Sequence, residues 1–290
     1  MKQILYFFTI GLLATACSKP VANFLIEEDK VPIAESVSFV NSSQGAETFV
    51  WSINGDVQSN EKDFKNTFYE SGRHTIGLKA IKGSDISEKT SDVFITAPQE
   101  CKVFIKTNFG NLILGLYEET PIHLNNFVDL VENGFYDGIK FHRIMDGFMI
   151  QGGDVKTRDK SFNGTYQSEI HAEINSHAYH VRGALAAARM PDEINPDKKS
   201  SGTQFYIVDG RNIDIDNLRD TESSKLIDYS EEQIAQYLEN GGAPQLDGEY
   251  TVFGYLIEGY DVLDKISGVE TDEKNKPLEE VIILEAKMLY

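Results

Sequence analysis

The residues from Phe141 to Asp154 read Phe-His-Arg-Ile-Met-Asp-Gly-Phe-Met-Ile-Gln-Gly-Gly-Asp, and they hold the group best suited to chemistry. Strand alternation puts Phe141, Arg143 and Met145 on one face and His142 on the other. The Asp146-Gly147 turn leads into Phe148-Met149-Ile150-Gln151, where Met149 and Gln151 share a face. Arg143 brings a planar fork of donors and a charge. Phe148 and Met149 can wall an apolar pocket, and Gln151 can hold a peptide backbone. The set contains no nucleophile. It suits noncovalent work on a bound amide, with a fixed donor beside a dry slot.

Three later blocks extend this group. In Ser201-Gly202-Thr203-Gln204-Phe205-Tyr206-Ile207, read as one strand, Gln204 and Tyr206 share a face and Phe205 points the other way. Arg182 to Arg189 is a run of small residues that lets a substrate backbone come close. Leu246 to Gly254 closes the set. Other chemistry finds less support. His171, His177 and His180 cluster near Glu169 and Glu173, but the spacing fits no usual zinc motif, so no metal is expected. Ser200-Ser201 lacks the Gly-x-Ser-x-Gly elbow of a nucleophile.

The elements that position these residues can be read on either side. Cys101 begins an alternating hairpin through Asn108-Phe109-Gly110-Asn111. Thr120 is a fit N-cap and Pro121 a fit first helical residue. Leu124, Phe127, Val128 and Val131 then give helical apolar spacing, and Gly134 ends the helix. A second helix is expected over about Tyr260 to Ser267, and a last strand over Glu280 to Met288. Residues 209–244 interrupt the pattern with nine acidic residues against three basic ones. Ser230-Glu231-Glu232-Gln233 in this insertion reads as a capping box opening a short helix. Two readings stay open for the insertion: a solvated flap, or a lid that selects basic substrates.

The blocks from 101 to 290 resemble, in order and content, the cyclophilin-type peptidyl-prolyl isomerases. That resemblance implies a closed eight-stranded antiparallel β-barrel capped by two helices. It implies isomerisation of X-Pro bonds with no cofactor. Arg143 takes the catalytic position by resemblance, and Phe148, Met149, Tyr206 and Leu246 take the proline pocket. Gln151, Ala188, Arg189 and Gln204 take the contacts to the substrate backbone, with His142 and Tyr250 as supporting neighbours. Arg189 and Tyr250 resemble bacterial members. Gln245 stands where many members have a tryptophan, which implies weak cyclosporin binding. A catalytically idle module that grips proline-containing loops is the alternative.

Residues 24–97 read as mainly β, with short alternating strands and turn signals at Asn54-Gly55-Asp56 and Ser71-Gly72-Arg73. This segment resembles a PKD-type Ig-like β-sandwich through Val37-Ser38-Phe39, Phe49-Val50-Trp51 and Thr67-Phe68-Tyr69. A spacer is its simplest use, and a partner- or glycan-binding module is the alternative. Residues 98–100 are a plausible linker, and 18–23 a tether. Ahead of them, Lys2, an apolar run from Ile4 to Ala14 and the small residues before Cys17 resemble a bacterial lipoprotein signal. Ala14 departs from the usual leucine. The expectation is a lipid-anchored, monomeric envelope protein facing the periplasm, touching the membrane only through Cys17. Its partners would be proline-containing polypeptides. A net charge of −19 argues against nucleic acid, which calls for a basic patch.

Overall fold

The structure is a computed structural model that describes residues 19–69, 71–96, 101–158, 162, 164–175 and 177–289. The expected signal with Cys17 and the linker at 98–100 lie outside the described residues. Contacts divide the chain into two units, Met1–Ala97 and Pro98–Tyr290. No helix among the described residues is long and apolar enough to cross a membrane.

The first unit holds β1 (Phe24–Ile26), β2 (Lys30–Pro32), β3 (Ser36–Asn41), β4 (Thr48–Ile53), β5 (Asp56–Ser59), β6 (Phe64–Thr67), β7 (Gly72–Lys82) and β8 (Asp85–Thr96). They form two sheets, β1-β3-β6 and β2-β8-β7-β4-β5. Trp51 on β4 is fully buried, with ring centroids 5.2 Å from Phe24, 6.2 Å from Phe39 and 5.9 Å from Phe64. One indole thus touches every strand of the facing sheet, and its Nε1–H donates to the Glu61 carbonyl at 3.1 Å. Within the expected tether, residues 19–23 are described and make contacts with this unit. Val21 pairs with Gln44, and the Ala22 N–H donates to Ser87 Oγ at 3.0 Å. Phe39→Ala is expected to cost this unit about 3–5 kcal/mol through the cavity it leaves. Trp51 is the chain's single tryptophan, so its fluorescence reports this unit. An unchanged midpoint in that signal contradicts the packing described.

The second unit opens with β9 (Lys102–Thr107), β10 (Gly110–Leu116) and α1 (Pro121–Glu132), then β11 (Arg143–Met145), β12 (Met149–Gly152) and β13 (Glu169–Ile170). It continues with β14 (Ala184–Ala187), β15 (Ser200–Ser201), β16 (Phe205–Val208), α2 (Ile215–Lys225), α3 (Glu231–Asn240), β17 (Val252–Glu258), α4 (Tyr260–Ser267) and β18 (Ile283–Leu289). Eight strands make one antiparallel sheet in the order β11-β12-β16-β14-β17-β10-β9-β18. The expected closed barrel is not what forms. The sheet curls but stays open, with β11 and β18 as its edges. The three residues of β11 are too few to complete a ladder. The edges meet only through the irregular chain before β11, where the Phe141 N–H donates to Val281 O at 2.9 Å and Ile283 N–H to Ile139 O at 2.8 Å. The expected single strand from Ser201 to Ile207 is also broken, because β15 pairs with β13 in a separate small sheet.

Alternation sorts the curled sheet into two faces. Ile144, Ile150, Leu185, Phe205 and Ile207 enter the main core, where α1 packs Phe127, Leu130 and Val131, and α4 packs Val262, Leu263 and Ile266. Met149, Ala184, Ala186, Tyr206 and Val208 gather on the opposite face in a second cluster. Helix α1 ends in a Schellman arrangement. Gly134, at φ 64°, donates to Val131 O, and Phe135 donates to Leu130 O, which turns Phe135 and Tyr136 into the core. Its other end differs from expectation. Thr120 Oγ1 bonds back to Tyr117 O instead of capping, and the Glu173 carboxylate accepts from the N–H groups of Ile122 and His123 at 3.0 and 2.9 Å. A carboxylate there also suits the positive end of the helix.

Candidate active site

Four neighbouring strands build the site on the outer face of the sheet. Arg143 on β11 lies directly opposite Gln151 on β12, Gln151 opposite Tyr206 on β16, and Tyr206 opposite Ala186 on β14. This cross-strand row aligns the guanidinium, an amide and a phenol. A cavity of about 100 Å³ lies over it, and Arg143 and Gln151 line one part. Phe148, Met149, Tyr206 and Leu246 supply apolar surface, while Ala188, Arg189 and Tyr250 complete the lining. The sequence therefore places Arg143 correctly beside Phe148 and Met149. It misplaces Phe141, which is fully buried in the main core and faces away from Arg143. Residues 141 and 142 precede the strand, so strict alternation does not apply to them.

The donors of Arg143 are only lightly used. One terminal nitrogen donates to Gln151 Oε1 at 3.3 Å and the other to Met145 Sδ at 3.0 Å, a weak acceptor. Among the described residues no carboxylate pairs with it. Gln151 Nε2 in turn donates to Gln204 Oε1 at 3.1 Å. Gln204 does not line the cavity itself but sets the orientation of Gln151. Arg189 differs from Arg143. Its side chain is 6% exposed, bonds the Glu249 carbonyl at 2.9 Å, pairs with Asp192 and Glu249, and lies 4.6 Å over the Tyr250 ring. Its guanidinium is therefore committed to the protein. The small residues of β14 also act differently from expectation. Ala184 to Ala187 are all buried, and of the run Arg182 to Arg189 it is Ala188 and Arg189 that reach the cavity.

The floor of the pocket holds what the sequence did not reveal. The Tyr206 hydroxyl lies 2.9 Å from His180 Nε2. His180 Nδ1 lies 2.7 Å from Asp247 Oδ1, which also accepts the His180 backbone N–H at 2.8 Å. Tyr229 and Tyr237 both donate to Asp247 Oδ2 at 2.6 Å. Burial raises the pKa of Tyr206 well above the usual phenol value, so it keeps its proton. Burial first and then the Asp247 charge raise those of Tyr229 and Tyr237. Asp209, at the root of the insertion, is also engaged. Its Oδ2 accepts from the Gly147 N–H at 2.8 Å and from Ser267 Oγ at 2.6 Å, which braces the β11–β12 turn.

His142 does not line the cavity, and its Nδ1 is buried without a partner among the described residues. His123 bonds Glu173 through Nδ1 at 2.6 Å and leaves Nε2 buried and unpartnered. Burial lowers the pKa of both rings below the ordinary 6.5. Between the lowered values and 6.5 the unfolded chain binds protons that the folded chain does not. Their contribution to stability is thus full above 6.5 and is lost as the pH falls below it. Urea unfolding across that window should give lower midpoints toward acid, flattened by His123→Gln with His142→Gln. A profile that rises toward acid contradicts this assignment.

No group of three or more His, Cys, Asp or Glu side chains among the described residues could hold a metal. Of the histidines and glutamates that lie near one another in sequence, His180 serves Asp247 and Glu173 serves α1.

Comparison with known proteins follows this geometry. The family model described as cyclophilin type peptidyl-prolyl cis-trans isomerase/CLD matches residues 102–288. A Staphylococcus haemolyticus protein named "Putative peptidyl-prolyl cis-trans isomerase" is 34% identical over 187 residues, covering 63% of this chain and 89% of its own length. A "Putative bifunctional phosphatase/peptidyl-prolyl cis-trans isomerase" of Streptococcus pyogenes is 40% identical over 195 residues, or 63% of this chain. The present chain spans only 37% of that longer relative. A crystal structure of a Cryptosporidium parvum cyclophilin type isomerase aligns at 28% identity and a TM-score of 0.48, over 65% of this chain and 97% of that one. The chain belongs to the cyclophilin-type peptidyl-prolyl cis-trans isomerase family, and its second unit is the isomerase domain.

Proposed function

We propose that the second unit rotates X-Pro bonds of polypeptide clients, with Arg143 as the catalytic donor and the Phe148, Met149, Tyr206 and Leu246 cavity as the seat of the proline ring. The carrying observation is the lightly bonded Arg143 guanidinium at a cavity of about 100 Å³ that Phe148, Met149 and Leu246 help to wall. Amide resonance raises a barrier of roughly 20 kcal/mol between cis and trans forms that differ by only about 1 kcal/mol. Twisting the bond localises the lone pair on the prolyl nitrogen. A guanidinium held beside the ring can donate to that lone pair, which the planar amide does not offer, so it favours the twisted state over both ground states. The pocket holds the ring while the preceding residue turns. Gln151 and Ala188 hold the substrate backbone, and Gln204 orients Gln151. Arg189 supports Tyr250. No proton is transferred and no bond is broken.

A protease-coupled assay on a proline tetrapeptide tests this reading. Acceleration of the cis-to-trans step supports it. Peptide binding without acceleration overturns it in favour of the idle module.

We further propose a PKD-like Ig-type spacer over residues 24–97 and an envelope location through lipid on Cys17. The two sheets closed over Trp51 support the first. The sequence ahead of Cys17 supports the second. Labelling by radioactive palmitate that survives Cys17→Ser overturns the anchor.

A further inference from the structure

We propose that the insertion 209–244 is a positioning element for the proline pocket, acting through a buried relay from Tyr229 and Tyr237 to Asp247, from Asp247 to His180, and from His180 to Tyr206. This inference rests on the isomerase reading and adds a role for a segment outside the reaction itself.

The relay is continuous. Tyr229 follows α2 and Tyr237 lies on α3, and both hydroxyls meet Asp247 Oδ2 at 2.6 Å. Asp247 Oδ1 meets His180 Nδ1 at 2.7 Å, and His180 Nε2 meets the Tyr206 hydroxyl at 2.9 Å. The rings of His180 and Tyr206 lie nearly parallel, 13° apart. Tyr237 and His180 are fully buried, and Asp247 is 4% exposed.

The chemistry fixes the direction of the bonds to Asp247. A carboxylate only accepts, so Nδ1 of His180 carries its proton toward Asp247. Nε2 then faces the Tyr206 hydroxyl, and the 2.9 Å bond between them pins the Tyr206 ring as the pocket floor. Without that partner the hydroxyl would need another, since an unpaired buried hydroxyl is costly.

The insertion is also tied to the His180 segment by its backbone. The Arg182 N–H donates to Gly241 O at 3.0 Å and the Ala243 N–H to His180 O at 2.8 Å. Gly242, at φ 157°, sits so close that a Cβ there would lie 2.4 Å from His180 O and 2.6 Å from Tyr237 Cε1. Apolar contacts of Leu218, Ile227 and Ile234 alone could anchor a flap. Sending two phenols to a carboxylate beside the pocket wall Leu246 adds orientation, not just adhesion. It also answers the choice between flap and lid. The insertion holds the floor from beneath.

The test measures peptide affinity and turnover for Tyr229→Phe with Tyr237→Phe, both alone and in a Tyr206→Phe background. Each substitution removes only a hydroxyl. In the wild-type background the pair should weaken peptide affinity and kcat/KM by roughly three- to tenfold, the size of one lost hydrogen bond. With Tyr206→Phe already present, the floor no longer has a hydroxyl to orient. The pair should then change either quantity by less than about twofold, a coupling that a purely structural role does not produce. Equal losses in both backgrounds overturn the proposal, as does no loss in the wild-type background with native circular dichroism. Turnover by wild type with uncoupled variants sinks the relay alone. Coupled affinity changes in a protein without turnover support the relay and sink the isomerase reading.

Discussion

Replacing Arg143 with alanine is expected to lower kcat/KM by about 10²–10³-fold, the usual effect of removing one preorganised donor. Of the two guanidiniums at the cavity, that of Arg143 is the less committed, bonding Gln151 and Met145, while Arg189 is held by Glu249, Asp192 and Tyr250. Phe148, Met149 and Leu246 remain in the variant, so peptide affinity should fall far less than turnover. Arg143→Lys should recover little, because an ammonium keeps the charge and loses the fork. Stopped-flow rates with a saturating protease check both variants. Turnover left intact in Arg143→Ala removes the arginine from the mechanism.

Replacing Asp247 with alanine is expected to destabilise the second unit by about 3–5 kcal/mol, measured by urea unfolding. The carboxylate receives four hydrogen bonds, from Tyr229, Tyr237, the His180 ring and the His180 backbone. Their loss leaves buried donors with no partner, which costs more than the bonds themselves contribute. Tyr237→Phe removes one donor from an acceptor that keeps the others, so about 1 kcal/mol is expected there. A similar loss for both variants contradicts the central place of Asp247 in the network.

What the sequence discloses about this fold follows the range of the forces involved. The opposed faces of Phe205 and Tyr206 are legible because strand period is local. The Ser230–Gln233 capping box is legible for the same reason, and both of its hydrogen bonds form. Helix α2 is not, because Leu218 is its single buried residue and no apolar stripe marks it. Its Asp214–Asn217 capping box uses an asparagine where a glutamate or glutamine is the usual signal. Glu173 caps a helix that starts some fifty residues earlier, and no spacing rule joins them. His180 and Asp247 lie 67 residues apart in sequence and 2.7 Å apart in space. Asp247 lies in the block with Leu246 and Tyr206 in another, but His180 lies outside every block, and no spacing rule joins the three. The resemblance brought the cavity residues together and also carried over a closed barrel, which the short β11 does not complete.

Two-dimensional exchange NMR on an Ala-Pro-containing peptide, with the chain at catalytic concentration, observes the proposed rotation itself. Cis–trans exchange peaks are expected with the wild type at mixing times too short for the free peptide, which exchanges over tens of seconds or longer. With Arg143→Ala the peptide shifts should persist while those peaks vanish. Exchange peaks of equal strength in the two proteins, or wild-type shifts with no exchange, contradict a guanidinium that stabilises the twisted amide.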